Sequence, residues 1–240
     1  MDLIGRALEM GQGALDEHES KDFLAGYGIP VCREALAADP VSACELATRI
    51  GFPIALKACG PALFHKTEIG GVALNITSEA RTREEGERLL TLPGCKALLV
   101  QEMIIGKREL ACGMIRDEQF GPCVMYGLGG VLTELLDDVS FRIAPFEFED
   151  AYEMIGEIRA RAITGSYRGE PRVDMRALAT ILVELGRIGV VHREISAIDI
   201  NPLIICGDGT PVAVDALVLL GARGGQDLHP RARYATEANA

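Results

Sequence analysis

Two familiar phosphate-binding signatures are missing from this 240-residue sequence. No G-x-x-x-x-G-K-[ST] occurs, because Gly106-Lys107 is followed by Arg108, and no G-x-G-x-x-G follows a strand-like run. A nucleotide site of either common type is excluded; one of another design is not. Basic charge is scarce as well. The formal net charge of -11 argues against a nucleic-acid or anionic-membrane partner, so a polyanion would need a local basic pocket. No uncharged apolar run approaches the ~18 residues that a membrane helix requires. Asp2 and the lack of a long apolar core after it give the expectation of no targeting signal. Cysteines 32, 44, 59, 95, 112, 123 and 206 are scattered and never form C-x-x-C. They read as reduced core thiols, without a zinc site, in a cytoplasmic protein.

What remains is an ordinary soluble composition, 48% hydrophobic and 25% charged, with enough chain for one large domain or for two lobes that each hold a core. Alternation and turn chemistry predict helices before Tyr27-Gly28-Ile29-Pro30 and a strand over Val31–Leu36. Asp39-Pro40 opens a helix with Val41, Cys44, Ala47 and Ile50 on one face. Ile54–Cys59 reads as a buried strand, Val72, Leu74 and Ile76 as its alternating neighbour, and Ser78 as the cap of a polar helix to about Leu90. Strands follow at Ala97–Met103, Glu109–Arg116, Pro122–Tyr126 and, beyond Gly127-Leu128-Gly129-Gly130, Leu132–Leu136. Helices are expected at Glu147–Ala162 and Val173–Ile188, then strands at Ile195–Cys206 and Pro211–Leu220. The change from αβαβ order to a strand-rich segment near residue 101 implies an α/β (α+β) fold with a cleft between lobes. The expected division is 21–100 and 101–220, with 1–20 packed on the second lobe and 221–240 a loose tail.

Several residues are candidates for chemistry. Lys57 stands in an apolar strand, facing opposite to Leu56 and Ala58. An edge lysine reaching for water is the commonplace reading; a cation rooted beside a glycine-bounded loop is the functional one. That loop carries His65, Lys66, Thr67 and Glu68 and closes on Gly70-Gly71. His65 is either a plain surface histidine or a nucleophile toward a phosphoryl group, which neutral imidazole can be near pH 7. Asp199 and Asn201 alternate with Ile198 and Ile200, and Val212 and Val214 are expected inward, leaving Asp215 on the opposite face with Ala213. A three-residue loop at Gly207–Gly209, with Gly209 left-handed, pairs Cys206 with Thr210 and so sets Asn201 opposite Asp215. The commonplace reading is two exposed polar residues on a solvated sheet face; the functional one is a pair of hard oxygen ligands suited to Mg²⁺, which keeps waters and binds one or two carboxylates plus substrate phosphates. Gln101, Glu102 and Met103 leave a buried strand at the joint, either as a plain connector or as a place where backbone groups and an apolar wall could hold a base. Glu109 and Glu134 are candidates for ribose binding and for orienting an imidazole.

Taken together, E-H-E-S-K-D-F-L-A-G-Y-G-I-P, L-K-A…H-K-T-E-I-G-G-V, V-Q-E-M, F-G-P-C-V-M-Y-G-L-G-G-V, F-R-I-A-P and I-D-I-N-P-L…V-D-A resemble the ATP-grasp β subunit of ADP-forming acyl-CoA synthetases, relatives of succinyl-CoA synthetase. The similarity runs from about Leu15 to Leu220. It implies an ATP-grasp fold and the reaction acyl-CoA + ADP + phosphate ⇌ carboxylic acid + CoA + ATP. Lys57 would contact ATP phosphates, Glu102 and Met103 line the adenine site, and Glu109 reach the ribose or phosphates. Asn201 and Asp215 would hold Mg²⁺. His65 would relay phosphate to a second histidine on a partner, Gly70 and Gly71 would let its loop swing, and Glu134 and Arg142 would act near the phosphates. Glu68 stands where the family has Asp. A chain of this length carries only the ATP-grasp part, which implies a separate CoA-binding α subunit and an α2β2 heterotetramer. Two rivals remain: another ATP-grasp ligase working through an acyl-phosphate, and a non-catalytic nucleotide-sensing subunit.

Overall fold

The computed structural model describes residues 3–60, 63, 66–130, 138–166 and 169–221. Two large hydrophobic cores organise them, each beneath its own sheet, and a third small cluster joins Ala14, Ala197 and Leu219. The smaller sheet has four strands in the order β1-β4-β2-β3: β1 Glu34–Ala37, β2 Ile54–Cys59, β3 Val72–Ile76 and β4 Ala97–Glu102. Helices α3 (Pro40–Ile50) and α4 (Glu79–Leu90) cover one face, so Ile54, Leu56, Ala58, Leu98 and Val100 meet Ala43, Ala47 and Leu89. Asp39 caps α3, accepting from the N–H groups of Val41 at 2.8 Å and Ser42 at 2.9 Å, and Ser78 caps α4. The buried face of α3 is rotated from the expected one. Ala43, Cys44, Leu46 and Ala47 go inward, whereas Val41 is 52% exposed. The alternation expected in β3 also breaks. Asn75 adopts a positive φ of 56°, the pairing with β2 slips, and Leu74 is left exposed.

The larger sheet has the order β10-β8-β5-β6-β7, with β9 added to β8. Its strands are β5 Arg108–Asp117, β6 Gly121–Leu128, β7 Val139–Ile143, β8 Ile195–Ile205, β9 Pro211–Ala213 and β10 Ala216–Leu220. Helices α5 (Phe148–Glu157) and α6 (Met175–Val191) pack on one face, and Leu178, Ile181, Leu182, Leu185 and Ile188 are buried at the expected helical spacing. α5 is shorter than the expected 147–162. The Asp138 carboxylate takes the N–H groups of Arg159 and Ala160, each at 2.7 Å, and so removes the donors that would continue the helix. β7 was not anticipated, and the expected strand at 132–136 lies outside the described residues.

The lobe boundary falls later than residue 21. Helices α1 (Leu3–Glu9) and α2 (Glu17–Gly26) both join the core of the larger sheet through Ile4, Phe23 and Leu24, with Ile29 after them, while the smaller core begins at Ala35. All seven cysteines are free, and burial pushes the Cys32 and Cys59 thiols up to about 12, so they stay protonated. Among the described residues no helix is long and apolar enough to cross a membrane.

Candidate functional site

Strand β2 runs through the middle of the smaller sheet, and alternation sends Leu56 and Ala58 into the core and Lys57 to the opposite face. Lys57 does not reach bulk water. It is buried, and its Nζ donates to Glu17 Oε1 at 2.6 Å and to the Val214 carbonyl at 3.1 Å, with Asp215 Oδ2 4.0 Å away. Lys57 belongs to the smaller lobe; Glu17, Val214 and Asp215 belong to the larger.

Glu17 is the hub. Its Oε1 also accepts from Lys21 at 2.8 Å, and its Oε2 pairs with Lys66. Lys21 donates further to Gln101 Oε1 at 3.0 Å and Val214 O at 3.2 Å, and pairs with Glu34. His18 Nδ1 closes the rim on Glu34 at 2.9 Å, a contact that raises its pKa. Burial alone would raise the Glu17 carboxyl, but Lys57, Lys21 and Lys66 outweigh it and hold the group far below the usual carboxylate range. Burial would likewise lower Lys21 and Lys66; Glu17 holds both above the usual ammonium value. None of Glu17, Lys21 or Glu34 was singled out from the sequence, and Lys66 was noted only as part of its loop. A signal existed: Glu17, Ser20, Lys21 and Leu24, at i, i+3, i+4 and i+7, are four of the five buried positions of α2, so three polar residues share one buried helix face with Leu24.

The hairpin register is as expected. Cys206 N–H meets Thr210 O at 2.9 Å around a loop in which Gly209 has φ 93°, Leu203 pairs with Ala213, and Ile200 pairs with Ala216. Asn201 therefore lies opposite Asp215, and its N–H donates to Asp215 O at 3.2 Å. The expected phase of the return strand is wrong, however. Ala213 is buried in the large core while Val212 and Val214 are only half-buried, and the strand breaks at Val214-Asp215 before Ala216 turns inward again. That break keeps Asp215 out of the core, with 42% of its side-chain surface open. Partial desolvation in the cleft, then the Glu17 carboxylate, raises its carboxyl above the usual range despite Lys57 and Lys66.

The second glycine turn joins this end of the cleft. Gly130 N–H points at Asn201 Oδ1 at 3.5 Å, and Gly130 has φ 70°. A Cβ there would lie 2.4 Å from Glu109 Oε2, so that carboxylate would have to swing aside, and the positive φ itself favours glycine. Glu109, Gly130 and Asn201 are thus brought together. Asp215 and the half-buried Asn201 amide oxygen are hard donors, lightly engaged among the described residues, and fit a Mg²⁺ ion that keeps water and phosphate ligands.

The remaining candidates divide. Gln101 faces the lysine hub. Glu102 is turned to Arg33, whose Nε and backbone N–H donate to it at 2.7 Å each, and the N–H groups of Glu102 and Met103 are engaged by Arg33 O and Pro53 O. Those two N–H groups are therefore in use. Gly70 and Gly71 close the loop. Gly71 N–H reaches Lys66 O at 2.6 Å, where a Cβ would come within 2.9 Å of that oxygen, and Gly71 O accepts from Ala58. Arg142 is set apart: it lies opposite Val124, a core residue on the helix-covered face, and forks onto Glu157 at 2.6 and 2.8 Å. His65 and Glu134 lie outside the described residues.

Two sheets on separate cores, with a lysine from one lobe meeting an oxygen pair from the other, define a nucleotide-clamp architecture. The model of the ATP-grasp domain family matches residues 6–220, and the chain belongs to that family. It is 40% identical over 233 residues to the acetate–CoA ligase (ADP-forming) I subunit beta of Pyrococcus furiosus, covering 92% of this chain and 100% of that one. Against the acetate–CoA ligase (ADP-forming) I of Archaeoglobus fulgidus identity is 37%, and the match spans 33% of that longer protein. Among solved structures it is similar to acetyl-coenzyme A synthetase 1 of Ca. Korarchaeum cryptofilum in complex with coenzyme A and Ca-AMPCP. That match has a TM-score of 0.87 and 40% identity, and covers 92% of this chain and 99% of that one. The same enzyme with Mg-AMPPCP, its phosphohistidine segment pointing towards the nucleotide site, matches with a TM-score of 0.81.

Proposed function

We propose that this chain is the nucleotide-binding β subunit of an ADP-forming acyl-CoA synthetase, catalysing acyl-CoA + ADP + phosphate ⇌ carboxylic acid + CoA + ATP together with a CoA-binding α subunit. The observation that carries it is the approach of Lys57, from one lobe, to within 4.0 Å of Asp215 on the other. The full-length likeness to a beta subunit supports it. Lys57 would neutralise phosphate oxygens, and Asn201 with Asp215 would hold Mg²⁺, which when bound supplies charge neutralisation for the transfer. Positioning and charge are most of what phosphoryl transfer asks of a protein. His65 would accept the phosphoryl group and pass it to a histidine of the partner, in an α2β2 assembly. Glu134 would orient that imidazole, and Glu109 would meet the ribose or phosphates.

The test is transfer of label from γ-labelled Mg-ATP to the chain in the presence of its partner. Acid-labile phosphate on His65, lost in His65→Ala while nucleotide still binds, is the expected outcome. An acyl-phosphate ligase or a nucleotide sensor would leave the chain unlabelled.

A further inference from the structure

Nothing in the proposed reaction gives Glu17 a task, yet among the described residues it is the most heavily engaged carboxylate of the cleft. We propose that Glu17 is a positioning residue for nucleotide binding, fixing the Lys57 ammonium where the phosphates arrive; this rests on the reading of Lys57 as a phosphate contact. A lysine has a flexible four-carbon stem and, left to itself at the edge of a cleft, follows water. Here its Nζ is gripped from two sides, by Glu17 Oε1 at 2.6 Å and Val214 O at 3.1 Å. The grip is itself rigid. Phe23 and Leu24 root α2 in the larger core, and Ser20 Oγ accepts the Val218 N–H at 3.1 Å, tying the helix to β10. Lys21 then holds the same carboxylate oxygen and the same carbonyl, while Lys66 takes the other oxygen. Glu17 is left with no freedom to turn, and Lys57 inherits its position across the lobe boundary.

The bland alternative is that Glu17 only balances charge, since Lys21, Lys57 and Lys66 face Glu17, Glu34 and Asp215. The two roles separate when one lysine is removed with the carboxylate. Mg-ADP affinity and thermal stability are measured by calorimetry on the complex with the CoA-binding partner, for wild type, Lys57→Met, Glu17→Gln and the Glu17→Gln/Lys21→Met pair. The expected result is that Glu17→Gln weakens Mg-ADP about tenfold or more, as loss of a charge-assisted contact would. The paired variant regains stability without regaining affinity. Restored affinity in the paired variant, or wild-type affinity in Glu17→Gln, overturns the proposal, as does a paired variant that fails to assemble. If Glu17→Gln does not fold, the paired variant alone decides. Wild-type affinity in Lys57→Met overturns the reading of Lys57 itself, and is thereby distinguished from a failure confined to Glu17.

Discussion

Glu17 and Asp215 are two carboxylates near the same lysine, and they are shifted in opposite directions. Glu17 is sealed between lobes and hydrogen-bonded to ammonium groups at both oxygens. Asp215 stands at a strand break, half open, with Lys57 nearby but beyond hydrogen-bond distance. A saturated ion-pair hub stiffens a cleft; an under-neutralised carboxylate beside it is a place for a cation. The first end of the cleft holds the protein's own charges in place, and the second leaves charge for a ligand to satisfy.

The contrast breaks most visibly at Glu17. Glu17→Ala leaves three buried ammonium groups short of a partner, and urea unfolding should show a loss of roughly 3–5 kcal/mol. The pH dependence follows in sign. Because the folded carboxyl lies far below its ordinary 4.5, its stabilisation is complete above that value and is lost as pH falls toward the folded one. Acid titration of the wild type should therefore show stability declining below about pH 4.5, and the variant should lack that component. Asp215→Asn should do the reverse on a smaller scale. A raised carboxyl contributes stability at low pH that is lost as pH rises through its folded value, so removing the charge stabilises the metal-free chain at pH 7. Solvent screening of a half-open group limits the gain to about 0.5 kcal/mol, read as a small rise in melting temperature, while Mg-dependent nucleotide affinity falls. Arg142→Gln sharpens the boundary of the site. It removes a surface pair with Glu157 worth at most about 1 kcal/mol, and direct titration should find Mg-ADP affinity unchanged.

What could be read in the sequence was whatever local periodicity and turn chemistry dictate. Lys57 opposite Leu56 and Ala58 follows from strand alternation, and Asn201 opposite Asp215 follows from one three-residue loop. Helix caps at Asp39 and Ser78 were legible for the same reason. The phase slip at Val214-Asp215 was not, because a single irregular residue pair reverses faces without any change in composition. Nor was the hub: Lys21 meets Gln101 and Val214, 80 and 193 positions away, and only tertiary packing reveals that. Arg142 illustrates the converse. Its motif placed it near the phosphates, yet its register with Val124 puts it on the helix-covered face.

The most direct test is diffraction from the assembled complex with ADP and Mn²⁺ in place of Mg²⁺, read by anomalous scattering. A metal peak within coordination distance of Asp215 and Asn201, with Lys57 Nζ on a phosphate oxygen and still held by Glu17, is the predicted result. A metal seated away from both residues, or phosphates bound beyond the reach of Lys57, would contradict it.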